Sequence, residues 1–213
     1  MIGSISQVPD GRGIVGCVDE VRARAKKRSD DKRGRIVAAA TVLFSRYGYK
    51  RTSIDLLAAE AKVAKPTVYA YFADKEAVFT AVVEHVAGLI HADAEAAAAG
   101  PEPVEERLAA MLSAKHTRYW ELVHASPPAA ELVDSQDAVA ARVVERADRA
   151  YLRLLTGAIE GSALEPARAG LTPAAAAQLL VRATSGAAYD ATSAAVHRRH
   201  VGEIVRVLCR GMR

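Results

Sequence analysis

The stretch Lys65-Pro66-Thr67-Val68-Tyr69-Ala70-Tyr71-Phe72 brings a cation, a hydroxyl and two phenols together within a few residues. This set nominates no nucleophile and base; it suits recognition. An ammonium can donate to a phosphate or to guanine O6 and N7, and small apolar groups such as Pro66 and Ala70 can meet a thymine methyl. Proline is tolerated only in the first turn of a helix, so Pro66 marks a helix start. Val68 and Phe72 are four apart and predict a buried face, which leaves Tyr69, Ala70 and Tyr71 around the other side.

Three elements must hold that edge in place. A first helix is expected from about Asp30 or Asp31, with Ile36, Ala40, Leu43, Phe44 and Tyr47 as its apolar stripe. Gly48 follows as a left-handed cap. Thr52 opens a second, short helix with Asp55 three residues on, and Ile54, Leu57, Ala58 and Ala61 are its buried side. A break at Lys62-Val63-Ala64 separates it from the third, and Asp74 caps a fourth. Two short helices across a three-residue turn, on a supporting helix, form a helix-turn-helix, whose second helix enters the major groove of DNA.

Charge agrees with that placement. Residues 20–80 hold 14 Lys/Arg against 7 Asp/Glu, whereas the whole chain has a net charge of only +4. A local excess of this kind suits a polyanion, with a solvated charged face as the bland alternative. Residues 1–28 read as a flexible basic arm, dense in cations from Arg22 to Arg28. Residues 29–80 read as the DNA-binding unit and 81–213 as a second helical unit. Apolar residues make up 51% of the chain, alanine is abundant and no alternating strand pattern occurs, so the fold class is all-α with about nine helices.

The runs Phe44-Ser45-Arg46-Tyr47-Gly48-Tyr49, Thr52-Ser53-Ile54, Thr67-Val68-Tyr69 and Tyr71-Phe72-Ala73-Asp74-Lys75-Glu76-Ala77-Val78-Phe79 resemble the DNA-binding signature of the TetR family. The resemblance covers about residues 32–80. It implies that Lys65, Pro66, Thr67, Tyr69 and Ala70 face base edges or the adjacent backbone. It also implies that Thr52, Ser53, Tyr71 and Lys75 hold phosphates. Two positions depart from the pattern: Lys62 stands where the family usually has glycine, and Ala64 where it has a Ser/Thr cap. The family further implies a homodimer through the last two helices, about 173–197 and 201–212. Leu179, Leu180, Ala183, Ala187, Ile204, Val205 and Leu208 would supply contacts, and a small-molecule inducer would act in the 81–190 region.

The rest of the chain offers weaker chemistry. His116, Tyr119, Trp120 and Val123 share one face of a long helix, as core packing or as a ligand pocket wall that Tyr151 and Tyr189 could join. Glu121 and His124 have the spacing of di-iron helical bundles, but that centre needs a second copy and two further glutamates. His197 and His200 are expected exposed at a helix junction. Phosphate loops, nucleophile elbows and zinc spacings are absent from the sequence, and no cofactor is expected. Cys17 and Cys209 fit no redox motif, no uninterrupted apolar run nears the roughly 18 residues of a membrane span, and the N-terminus has no secretory pattern. A cytoplasmic protein with no membrane partner is the expectation. An all-α carrier or enzyme, or a protein-binding adaptor, would be the competing classes.

Overall fold

The computed structural model describes residues 12–124, 138–188 and 193–213, with side chains described over 30–117, 141–187 and 193–213. Among the described residues there are eight α-helices and no strand. They are α1 (Arg12–Tyr47), α2 (Ile54–Glu60), α3 (Lys65–Tyr71), α4 (Lys75–Ala98), α5 (Val104–His124), α6 (Ala138–Glu160), α7 (Pro173–Ser185) and α8 (Ala194–Arg210). Short 3-10 turns at Pro166–Ala169 and Gly186–Ala188 follow α6 and α7. A short segment expected at 129–134 lies outside the described residues.

Two cores form. In the first, Ile36, Ala40, Leu43 and Phe44 of α1 pack with Leu57, Ala58, Val68, Phe72, Val78 and Phe79. Phe44, Tyr49 and Phe79 make a mutual aromatic cluster with centroids 5.1–5.9 Å apart. Edge-on rings of this kind add attraction beyond their buried area. In the second, Leu108, Met111 and Leu112 of α5 meet Leu155 and Ile159 of α6, Leu180 of α7 and Val201 and Val205 of α8. Helix α4 serves both: Val78, Phe79 and Val82 lie in the first core and Ala94 in the second. By length and composition α4 is also apolar enough to cross a membrane, although charged residues interrupt it. Its Glu84 pairs with Arg146 of α6 at 3.1 Å.

Local signals set most of the boundaries. Asp74 accepts from the Ala77 N–H at 2.7 Å, and Thr172 accepts from the Ala175 N–H ahead of Pro173. Gly48 sits at φ 81° after α1, where a side chain would be strained. At the end of α4 the Arg107 guanidinium donates to the Ala98 carbonyl at 2.7 Å, satisfying one of the groups a helix end leaves open.

Four expectations change. First, α1 begins at Arg12 rather than near Asp30. Residues 22–28 of the intervening segment are Arg, Lys and Ala, all good helix formers, so the acids at 30 and 31 lie inside the helix and do not start it. Second, Tyr47 is 40% exposed and lies under the Arg46 guanidinium, because α1 ends there and the chain turns away at Gly48. Tyr49 takes the place beside Phe44. Third, the run expected as one helix over 173–197 ends at Ser185, with Gly186 as its cap. A new helix starts at Ala194, where Ser193 accepts from the Val196 N–H. Fourth, that start carries His197 into the second core, where it is 4% exposed rather than open at a junction.

Candidate nucleic-acid interface

The turn between α2 and α3 fixes the angle of the candidate reading helix. The Val63 N–H donates to the Ala58 carbonyl at 3.0 Å and the Lys62 N–H to the Ala59 carbonyl at 3.1 Å. This pair of crossed bonds is a Schellman motif, which needs a left-handed residue at the position Lys62 occupies. Lys62 is at φ 54°, the one non-glycine residue with positive φ among the described residues. Ala64, in the extended region, begins α3 without a side-chain cap. Both departures from the family pattern therefore fall on positions where the backbone has a definite demand.

Each demand predicts a gain. Lys62→Gly removes the side-chain clash of a left-handed residue, expected to add about 1 kcal/mol to stability. Ala64→Ser supplies an acceptor for a free N–H of α3, expected to add roughly another 1 kcal/mol. Urea unfolding followed by circular dichroism checks both. A midpoint unmoved by either substitution would mean the turn is not under the strain assigned to it.

Val68 is fully buried and Phe72 is 5% exposed, so α3 is pinned by one face. Lys65, Pro66, Tyr69 and Ala70 are exposed around the other, with Thr67 and Tyr71 half-buried at its flanks. Tyr71 leans on the first core and keeps part of its surface outside. Lys65 donates to the Asp55 carboxylate at 3.0 Å, and that hydrogen bond pushes its pKa upward. The pair is exposed, so solvent screens it and an incoming phosphate or base can compete for the ammonium. Lys32, Arg33, Lys50, Arg51 and Lys62 are further exposed cations in this part of the chain.

The four residues expected at phosphates separate into different roles. Ser53 is exposed and caps α2, accepting from the Leu56 N–H at 3.2 Å. Thr52 is 1% exposed, and its hydroxyl donates to the Gly48 carbonyl at 2.9 Å. That corrects two expectations, since Thr52 neither caps α2 nor presents a hydroxyl to an anion. Its role is to tie the end of α1 to the start of α2. Lys75 is half-buried, donates to the Tyr49 and Thr52 carbonyls at 3.0 and 3.1 Å, and lies 4.4 Å over the Tyr49 ring. The sequence carries no signal for this clamp, because its acceptors are backbone groups more than twenty residues away.

The candidate pocket residues are only partly placed. Tyr151 is 3% exposed and donates to the Met111 carbonyl at 2.9 Å, so its hydroxyl is already used in packing α6 on α5. Burial pushes that phenol's pKa far up. Half-buried His116 of α5 meets His197 of α8 edge to face, ring centroids 5.0 Å apart. Tyr119, Trp120 and Val123 belong to the last turns of α5, and their side chains lie outside the described set, as does Tyr189 altogether. A groove of about 440 Å³ between α6 and α7, lined by Leu152, Thr156, Glu160, Ala174 and Gln178 among others, contains none of these residues. Among the described residues no three His, Cys, Asp or Glu side chains gather as a metal site.

Two short helices joined by a tight turn, with one face pinned and the other bare and flanked by cations, define a helix-turn-helix head. Residues 36–82 match the bacterial regulatory proteins of the tetR family. The HTH-type transcriptional regulator YhgD of Bacillus subtilis, itself uncharacterised, is 45% identical over 51 residues, 24% of this chain and 27% of that protein. The aligned region thus spans about a quarter of that relative's length. A TetR/AcrR-family regulator from Thermobifida fusca superposes with a TM-score of 0.61 at 28% identity, over 86% of this chain and 99% of that one. FadR from Bacillus subtilis, solved with stearoyl-CoA, superposes with a TM-score of 0.59 at 18% identity, over 84% and 98%. Residues 36–82 are thus similar to the DNA-binding head of tetR-family regulators, and the chain shares the fold of a solved TetR/AcrR-family regulator.

Proposed function

We propose that this protein is a transcriptional regulator that binds a roughly palindromic operator as a homodimer and is released by a small molecule. The observation that carries the DNA half is the bare face of α3, held on a Schellman turn and bordered by cations. On this reading Lys65 donates to guanine or the adjacent backbone, Thr67 and Tyr69 meet base edges, and Pro66 and Ala70 pack on thymine methyls. Ser53 and Tyr71 hold phosphates, which set register rather than sequence. Lys75 and Thr52 support the head from behind.

The homodimer reading draws on α7 and α8. Leu180, Val205 and Ala187 are buried in the protomer's own core, so they do not serve a partner. Half-buried Leu179, Ala183, Ile204 and Leu208, with Val207 at 65% exposure, supply the remaining apolar surface. A two-fold axis there would set two reading heads against two half-sites. A ligand in the second helical unit would release DNA only by favouring a head separation that misfits successive grooves.

The test is equilibrium binding to DNA from upstream of the protein's own coding region, beside a random duplex of equal length. Thr67→Ala and Tyr69→Ala are each expected to lose about 1–3 kcal/mol of operator affinity, roughly 5- to 150-fold, with helical circular dichroism unchanged. Unchanged operator affinity in both variants would overturn the assigned face. Absence of any sequence preference in the wild type would overturn the regulator reading itself.

A further inference from the structure

We propose that the N-terminal extension of α1 is a second DNA-contacting element, which lies on phosphates flanking the half-site read by α3. The inference rests on the reading of the head as DNA-binding. Three observations carry it. The segment from Arg12 runs without interruption into the helix that supports the head, so its charges stand on a continuous rod. The Arg33 guanidinium of that rod lies 5.3 Å over the ring of Phe72, the residue that caps the C-terminal end of α3. The rod is therefore seated against the C-terminal end of the reading helix. Upstream, Arg22, Arg24, Lys26, Lys27 and Arg28 fall within seven residues that contain no acid.

At about 1.5 Å per residue, that cluster stands roughly 8–17 Å beyond Arg33 along the helix axis. The span corresponds to roughly 2–5 base pairs of flanking duplex at about 3.4 Å each. Helical spacing distributes the cations all round: Arg22 and Lys26 are four apart, as are Arg24 and Arg28. Whichever side meets the DNA, at least two cations accompany it. Ala23 and Ala25 are the cluster's uncharged residues. They make no apolar stripe of the kind a lipid-bound helix needs, so the chemistry favours the nucleic-acid backbone over a membrane surface.

The experiment replaces Arg22, Arg24, Lys26, Lys27 and Arg28 with glutamine, a comparable helix former. Full-length wild type and variant are titrated against the operator duplex and a random duplex over a range of salt concentrations. Each phosphate contact contributes about 0.9 to the slope of log affinity against log salt. The variant's slope is expected to fall by about 2–3 per protomer on both duplexes, leaving the operator-to-random ratio unchanged. Trimming the outer flank of the duplex should bring the wild type down to the variant's affinity.

Wild type that binds operator with the same slope as the variant would overturn this inference and leave the operator reading intact. Wild type that binds no operator would remove the reading and the inference together. Loss of binding to phosphatidylglycerol vesicles in the variant, with DNA binding unaltered, would assign the cluster to a lipid surface and overturn it as well.

Discussion

Replacing Lys75 with methionine is expected to destabilise the head by about 2 kcal/mol and to weaken operator binding with it. The Lys75 ammonium is the shared donor to the Tyr49 and Thr52 carbonyls, which belong to the link between α1 and α2. Methionine preserves the length and packing of the stem and removes every donor. The Thr52 carbonyl left without this donor loses about 1–3 kcal/mol, and partial access of water places it low in that range, while the Tyr49 carbonyl keeps the Thr52 N–H at 3.3 Å and loses less. Contact with the face of Tyr49 adds about 0.5–1 kcal/mol that methionine does not reproduce in full.

The functional consequence follows from what the clamp holds. Thr52 is anchored to the Gly48 carbonyl, and Ser53 caps α2 immediately after it. Loosening this link frees the entry of α2, on which the Schellman turn and the angle of α3 depend. Lys75→Arg keeps donors in reach and is expected to retain part of the stability. Urea unfolding separates the clamp from the phosphate role that family resemblance implies. If Lys75 chiefly held DNA, Lys75→Met would leave the urea midpoint unchanged and lower only the salt slope, by about 1.

The contrast between Thr52, Ser53 and Lys75 shows which features of the head are readable from local chemistry. Pro66, Gly48, Asp74 and Thr172 act on their own or the next turn, and their roles are evident in a linear chain. The adjacent Thr52 and Ser53 are both able to cap a helix. What separates them is the path of the link: the Gly48 carbonyl, four residues back, claims the Thr52 hydroxyl and leaves the cap to Ser53. Lys75 reads as a surface cation because its acceptors are distant in sequence.

The second helical unit is harder to read for a different reason. Its long alanine-rich runs carry helix propensity but little punctuation, so continuity across 186–193 is the natural expectation. The signals that end it, Gly186 and Ser193, are single residues inside a favourable run. Missing that break also places His197 on the wrong surface. The basic segment 22–28 errs in the opposite direction: charge density suggests an arm, while Arg, Lys and Ala are strong helix formers that extend α1.

Acidification from pH 6.5 to about 4.5 is expected to remove roughly 1–2 kcal/mol of stability through the His116–His197 pair, after discounting for solvent around half-buried His116. The two rings meet between α5 and α8, and His116 Nδ1 and His197 Nε2 are buried without hydrogen-bond partners. Burial is the main cause that holds His116 down at about pKa 4, with His197 and Lys115 adding repulsion. Burial, then His200 and Arg198, lowers His197 as well. Asp148 does not reverse this, because it is paired with Lys115 at 2.7 Å.

The sign follows from proton uptake. Below the ordinary histidine value of 6.5 the unfolded chain binds a proton that folded His116 refuses until about pH 4. Stability is therefore fully present above pH 6.5 and is lost as pH falls toward 4. Carboxylates elsewhere titrate in the same range, so the measurement is the difference between wild type and His116→Phe across pH 4–8. The variant is expected to equal or exceed wild type at pH 7, where it removes an unpaired buried nitrogen. It should also show a flatter decline toward pH 4.5. Faster hydrogen exchange in α8 at pH 5 than at pH 7, in wild type alone, would locate the opening at the α5–α8 seam. Parallel stability curves for the two proteins would show that the imidazole pair does not set this dependence.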